Sequence, residues 1–390
     1  MEKAETQGTP DVVEDVFDGQ ATGVEVEQEN GTAPEPDSVI AKPWDPARIR
    51  VNTNSFSLRN ILDMIDEGSL ELAPDFQRGK VWKAEQKSLL VESLLLQIPL
   101  PAFYFAEDSD GAFRVVDGLQ RLSTLHAFVR GGEQGFRLKG LEYLDQNGSS
   151  FSDLPVQWQR RINHTQLVVN VIDPTTPTDV MYDIFRRINT GGTPLNAQEI
   201  RHCVSKDRSR DILKHMTNMP EFNTATNNLG GHIRMNDREM ALRFAAFWLM
   251  GMDAYQENPA MDKFLARATK QLDDPEEVPD SKVDELYDAF RTAMANAHLL
   301  FGEHTFRKWP EDGPPGRNPI NRALFESWSV ALVRYDAADL QRRRTAIVGA
   351  ARARMANDIA YLDAITSSTS DRRRVAYRFG SAEQDAKAGL

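Results

Sequence analysis

A single cysteine, Cys203, is all that this chain of 390 residues contains. An internal disulfide is therefore impossible, and so is a zinc centre built on cysteines. Long hydrophobic runs are missing too. The best, Phe244-Ala245-Ala246-Phe247-Trp248-Leu249-Met250, is short and follows Arg243, so no membrane-spanning helix is expected. The N-terminus lacks a cationic start leading into an apolar core, which predicts a cytoplasmic rather than a secreted protein. The histidines, His126, His164, His202, His215, His232, His298 and His304, are scattered, and none pairs with another at helical ligand spacing. No metal site made of a protein cluster is expected from them. Glycine spacing fits neither a phosphate-binding Walker loop nor a dinucleotide fingerprint, and there is no internal repeat.

What is present describes a soluble globular protein, with 41% hydrophobic and 27% charged residues. The length suggests two domains with extensions. Net charge is −12, but it is concentrated: residues 1–40 hold eleven acids and one lysine, whereas the rest has 47 acids against 45 Lys and Arg. The body is thus nearly neutral, and positive patches on it are compatible with the acidic total.

Residues 1–45 are rich in Glu, Asp, Gly, Thr and Pro and poor in aromatics. They are expected to form a disordered acidic tail, the alternative being an arm that mimics nucleic acid over a basic groove. A helix is expected from Ser55 to Gly68 and a stronger one from Lys83 to Gln97, stopped by Pro99 and Pro101. Ala102-Phe103-Tyr104-Phe105 reads as a strand, turned back by Asp108-Ser109-Asp110-Gly111 into a second strand that ends at Asp117. Residues 136–144 and 167–172 add further strands. Thr178 or Asp179 is expected to cap a helix running to Ile188, and Asn196 with Glu199 has the spacing of a capping box for a helix from Ala197. Beyond about Ser209 only helical periodicity remains, over 235–252, 283–301, 321–335 and 337–362. The expected layout is a mixed α/β domain over 46–208, a helical domain over 209–380 and a flexible tail over 381–390.

Three polar, glycine-bearing stretches lie at the edges of apolar elements. Phe76-Gln77-Arg78-Gly79, with Trp82 beyond it, combines a two-sided hydrogen-bonder with an anion fork. That suits recognition of a phosphate or a base edge, and the plainer alternative is a turn with a packing Trp82. Asp117-Gly118-Leu119-Gln120-Arg121-Leu122-Ser123-Thr124-Leu125 joins a strand to a helix. Here Gly118 lets the backbone approach a ligand, Arg121 brings charge to a phosphate from outside the core, and Gln120 can orient a water. Asp117 would place Mg²⁺ or cap the helix, and an ordinary capped turn is the alternative. Arg186-Arg187-Ile188-Asn189-Thr190-Gly191-Gly192-Thr193 is either a second phosphate-facing loop or a glycine helix stop. The runs Arg342-Arg343-Arg344 and Arg372-Arg373-Arg374 read as solvated helix faces, with nucleic-acid phosphates as the functional alternative.

In this order the three stretches resemble the DGQQR-motif family, the domain at the N-terminus of GmrSD-type modification-dependent restriction enzymes. The likeness rests on Pro74-Asp75-Phe76-Gln77-Arg78-Gly79-Lys80-Val81-Trp82, on Asp117–Leu125, on Ile188-Asn189-Thr190-Gly191-Gly192-Thr193-Pro194-Leu195, and on the Ile98-Pro99-Leu100-Pro101 link. It is close over about 50–205. Leu324-Phe325-Glu326 and the end from Arg374 to Phe379 resemble the weaker C-terminal half of single-domain members. The resemblance implies an α+β class, a ParB/sulfiredoxin-like small mixed sheet with helices, followed here by an all-helical C-terminal domain. It further implies a nucleotide-hydrolysing sensor with Mg²⁺ arriving on the nucleotide, acting in phage defence. Catalysis would rest on Asp117, Gln120 and Arg121. The nucleotide would be held by Gly118, Ser123, Thr124, Arg187, Asn189, Thr190, Gly191 and Gly192, and DNA or ligand recognised by Gln77, Arg78 and Trp82. Modified DNA, a separate nuclease or effector subunit and a second copy of the chain are the candidate partners, and no membrane is. Leu119 stands where the family motif has glutamine, and the cysteine that sulfiredoxin chemistry requires is absent from this region. No His-centred nuclease pattern follows residue 210, so this chain alone is not expected to cut DNA. The rival reading is a non-catalytic ParB-like switch or regulator.

Overall fold

The computed structural model describes residues 12–17, 19–26, 50–72, 82–108, 111–176, 180–181, 184, 187–188, 196–232, 234–313, 316–367 and 370–390. The architecture is mixed α+β, about 60% helical. The chain divides into two compact units, Val39–Val204 and Ser205–Leu390 with Met1–Ser38.

The first described elements already depart from the sequence expectation of disorder. Strands β1 (Glu14–Phe17) and β2 (Gln20–Glu25) form an antiparallel hairpin, with Phe17 paired to Gln20 and Gly19 at φ +78° closing the turn. An Asp-Gly dipeptide between short β-prone runs favours this turn. The hairpin belongs to the helical unit. Val24 is fully buried and bridges Ile320, and the Glu25 N–H donates to the Ile320 carbonyl at 2.8 Å. Acidic composition misleads here because the decisive acid is buried: the Glu25 carboxylate meets the Lys308 ammonium at 2.5 Å and Asn321 Nδ2 at 2.9 Å.

The Val39–Val204 unit is built on a five-stranded mixed sheet, order β3-β7-β5-β6-β4, from β3 (Val51–Ser57), β4 (Leu70–Glu71), β5 (Phe103–Glu107), β6 (Phe113–Asp117) and β7 (Gln166–Ile172). Strand β3 pairs antiparallel with β7, which runs parallel to β5. The hairpin partner of β5 is β6, and β4 lies parallel to β6. The polar β3, Val-Asn-Thr-Asn-Ser-Phe-Ser, is an exposed edge. Thr53 Oγ1 donates to Asn170 Oδ1 at 2.7 Å across the ladder, the kind of cross-strand pair that holds such an edge. Helix α1 (Leu58–Asp66) therefore starts later than the expected Ser55, where the Ser57 hydroxyl accepts from the Asn60 N–H. Helix α2 (Ala84–Leu95) buries Leu90, Leu94 and Leu95 against the sheet's core.

The strand expected over 136–144 does not form. Its backbone donors are claimed by a side chain: buried Glu92 on α2 accepts the N–H groups of Glu142, Tyr143 and Leu144 at 3.0, 2.8 and 2.9 Å. Burial pushes the Glu92 carboxyl up, but these three hydrogen bonds outweigh it, and the group lies below the usual glutamate value. Helices α3 (Leu119–Arg130), α4 (Val156–His164) and α5 (Ala197–Val204) complete the unit. The expected capping box at α5 is reciprocal: Asn196 N–H donates to Glu199 Oε2 at 2.7 Å, and Glu199 N–H to Asn196 Oδ1 at 2.8 Å.

The other unit packs α6 (Asp207–Asn218), α7 (Pro220–Thr226), α8 (Asn236–Glu257), α9 (Met261–Leu272), α10 (Asp280–Phe301), α11 (Arg322–Leu332), α12 (Ala337–Asn357), α13 (Ile359–Thr366) and α14 (Arg372–Ala386). Phe222, Phe244, Phe290 and Phe325 interlock at its centre. The helix expected over 337–362 is broken at Asp358, whose carboxylate accepts the Tyr361 N–H at 2.9 Å and so caps α13 instead of continuing α12. Residues 381–390 are not a flexible tail. Helix α14 runs on to Ala386, with Ala382 and Ala386 fully buried and Asp385 paired to Arg354 at 2.7 Å. Nor are the arginine runs simply solvated: Arg343 is buried on Asp339 and the Ala386 carbonyl, and Arg374 pairs with Asp363 at 2.6 Å. The segments around Glu326 and 374–379 meet in the core, where fully buried Glu326 binds both Arg378 and, at 2.9 Å, Arg243. No described helix is long and apolar enough to cross a membrane.

Candidate functional site

Strand β6 ends at Asp117, and α3 begins two residues later. Between them Gly118 sits at φ +99°, in the left-handed region where side chains are strained. Space makes the same demand: a Cβ here would lie 2.3 Å from Phe103 Cδ1. As N-cap, glycine has no side chain to offer, and no side chain caps α3. Its first-turn amides, at the positive end of the helix dipole, are left to solvent or to an anion.

The charged residues of this turn bind each other. Arg121 Nη2 meets Asp117 Oδ2 at 2.8 Å, one helical turn apart. Arg121 also donates to the Pro101 carbonyl and, at 3.2 Å, to the Ala102 carbonyl. Its guanidinium lies 4.2 Å from the centre of the Phe103 ring. Burial draws the Arg121 pKa below the usual guanidinium value, with Asp117 opposing the shift. Arg121 does sit in the first turn, as expected. Its side chain, however, is only 13% exposed and fastens the start of β5 to the turn, so its charge is not held outside the core. Asp117 does not cap the helix, and its carboxylate stays one-third exposed (33%).

Gln120 and Ser123 are half-buried on α3, whereas Thr124 is buried on the core face. Trp82 packs half-buried against the hydrophobic core of the unit. Arg187 is exposed on a helical residue. Gln77, Arg78, Asn189, Thr190, Gly191 and Gly192 lie outside the described residues, as do Thr178 and Asp179. Helix α5, which follows the Gly191-Gly192 stretch, packs against β6, the strand that feeds Gly118. Among the described residues no group of three or more His, Cys, Asp or Glu is placed to hold a metal ion. Pro101, Ala102 and Phe103 are the partners that sequence reasoning missed. The Ile98-Pro99-Leu100-Pro101 link was visible, but its role in supplying carbonyls to Arg121 was not.

A strand, an uncapped glycine turn and a helix, with α5 beside the strand, lie within the stretch that the family comparison matches. Residues 58–204 match the GmrSD restriction endonuclease N-terminal domain family. No curated protein matches the chain. The GmrSD-type segment runs from α1 to the end of α5, and thus takes in four of the five sheet strands and the whole Gly118 turn. The helical unit and the edge strand β3 fall outside it.

Proposed function

We propose that the GmrSD-type segment binds a nucleoside triphosphate at the N-terminus of α3 and hydrolyses it, within a DNA-directed defence system that uses a separate effector subunit. The observation that carries this reading is the uncapped start of α3 at Gly118 directly after β6. Free amides at a helix N-terminus favour phosphate oxygens. Gln120, half-buried in that first turn, orients the attacking water. Arg121 acts mainly by holding the turn and the Asp117 carboxylate in place. Phosphoryl transfer needs positioning and neutralisation more than covalent help from the protein. Mg²⁺, which would neutralise phosphate charge, fits as an ion that comes with the nucleotide: it keeps most of its waters and asks for one or two carboxylates, and Asp117 offers one. The match of residues 58–204 to the GmrSD restriction endonuclease N-terminal domain family supports the link to restriction.

The test is phosphate release with four nucleoside triphosphates, with and without modified DNA. Gln120→Ala is expected to lower turnover by about 100-fold, the scale of losing one catalytic contact, with the fold unchanged. Absence of hydrolysis under every condition would refute the enzymatic reading. One observation favours a second reading, the non-catalytic switch: the arginine available to the phosphate is already neutralised by Asp117. A switch binds nucleotide tightly without steady-state phosphate release.

A further inference from the structure

The helical unit holds a concentration of positive charge that no sequence motif marks. After α10 the chain makes a single 3-10 turn (Gly302–His304), runs through 305–309, and later folds back alongside itself. Ile320 bridges Arg307 antiparallel, the Asn321 N–H donates to the Phe306 carbonyl at 2.9 Å, and Asn318 Nδ2 donates to the Lys308 carbonyl at 2.7 Å. This fold-back brings exposed Arg317 within electrostatic reach of both Arg307 and His304. Arg352 on α12 adds a third guanidinium, 4.3 Å from the centre of the Trp309 indole, and the same indole stacks on His304 at 4.1 Å.

Arg307 is the unusual member. It is 5% exposed, yet among the described residues no carboxylate lies within ion-pair distance of it. It donates to the Thr305 carbonyl at 2.7 Å and the Thr226 carbonyl at 3.2 Å, while its Nε has no hydrogen-bond partner. A buried charge without a counter-charge is costly. The next residue solves the same problem fully, Lys308 being buried on Glu25. Burial, aided by Arg317, pulls the Arg307 pKa down to about 10. The acids nearby do not answer it: exposed Glu303 faces His304 at 3.7 Å, and Glu311 is exposed. Arg352 Nε and His304 Nδ1 are likewise buried without a hydrogen-bond partner. Phe306, beside Arg307, is held at φ +59°, a strained conformation for an aromatic residue.

We propose that Arg307, Arg317 and Arg352 form a phosphate-binding site in the helical unit, separate from the Gly118 turn. Arg307 supplies a fixed, buried charge, and Arg317 and Arg352 close on the anion from the surface. The phosphate belongs either to a free nucleotide or to a nucleic-acid backbone, and the two share the recognition chemistry.

The test titrates the full chain with inorganic phosphate, ATP and a short DNA duplex, following tryptophan fluorescence and calorimetry. Wild type is expected to bind at least one probe, with affinity lowered about tenfold by Arg317→Ala and further by Arg317→Glu. Binding of phosphate and ATP alone assigns the site to free phosphates. Binding of the duplex with a steep salt dependence assigns it to a backbone. Arg307→Met should abolish binding, and if that variant fails to fold, the exposed Arg317→Glu decides. Binding of no probe by wild type, or full affinity in Arg317→Glu, overturns the proposal.

Discussion

Glu25 lies in a stretch whose composition argues for disorder, and the structure makes it a keystone. Its Oε1 takes the Lys308 ammonium at 2.5 Å and its Oε2 takes Asn321 Nδ2 at 2.9 Å. Arg322 Nη1 donates to its main-chain carbonyl at 3.0 Å. With Glu25→Ala, Lys308 keeps the Thr366 hydroxyl at 2.7 Å but loses its only carboxylate partner among the described residues. Removing one member of a buried ion pair costs about 3–5 kcal/mol, because the other charge stays buried and unpaired. Replacing both by apolar residues of similar size costs little or even stabilises. The assay is urea unfolding of wild type, Glu25→Ala and the double variant Glu25→Met/Lys308→Met, each followed by far-ultraviolet circular dichroism. The single variant should lose about 3–5 kcal/mol and the double variant about 1 kcal/mol or less. Deleting residues 1–26 should destabilise like the single variant. A loss under about 0.5 kcal/mol in Glu25→Ala would mean that the hairpin does not dock in solution, and the reasoning fails.

Gly118→Ala must place a Cβ 2.3 Å from Phe103 at φ +99°, so it should cost about 2 kcal/mol or more in thermal denaturation. Glu92→Gln should lose about 2 kcal/mol by disrupting three backbone hydrogen bonds, read as a lower urea midpoint at pH 7. Because the folded Glu92 pKa lies below its unfolded value near 4.5, its contribution is complete above that value and disappears as pH falls through the folded one. The gap between wild type and Glu92→Gln should therefore narrow below about pH 4.5, and a pH-independent gap would contradict the assignment. Truncating residues 381–390 should cut the melting temperature by several degrees, since it removes Asp385 from Arg354 and buried Ala382 and Ala386 from the core.

Where local pattern and final contacts agreed, the fold was legible. The hairpin β5–β6, the helix after Asp117 and the Asn196–Glu199 capping box all depend on residues close in sequence. Long-range capture defeated the reading elsewhere. The alternation over 136–144 is strand-like, but its amides go to Glu92, 50 to 52 residues earlier. Strand β3 is so polar that its pairing with β7, more than a hundred residues later, leaves no hydrophobic signature. In the N-terminal stretch the acidic composition argues for disorder, and nothing local announces that Glu25 will meet Lys308.

The site illustrates a narrower point about reading charges. Asp117 and Arg121 stand four residues apart across a helix start, a spacing at which opposite charges are neighbours. Assigning Arg121 to a phosphate alone passes over the carboxylate that its guanidinium already holds. The pairing is also deeper than spacing conveys, because the Pro101 and Ala102 carbonyls and the Phe103 ring arrive from a different element to complete the guanidinium's surroundings. A phosphate at α3 must therefore work through the backbone amides or compete with a carboxylate 2.8 Å from the arginine. Under the proposed function that competition would couple nucleotide to fold: drawing Arg121 toward a phosphate would loosen its hold on Pro101 and Ala102 at the start of β5.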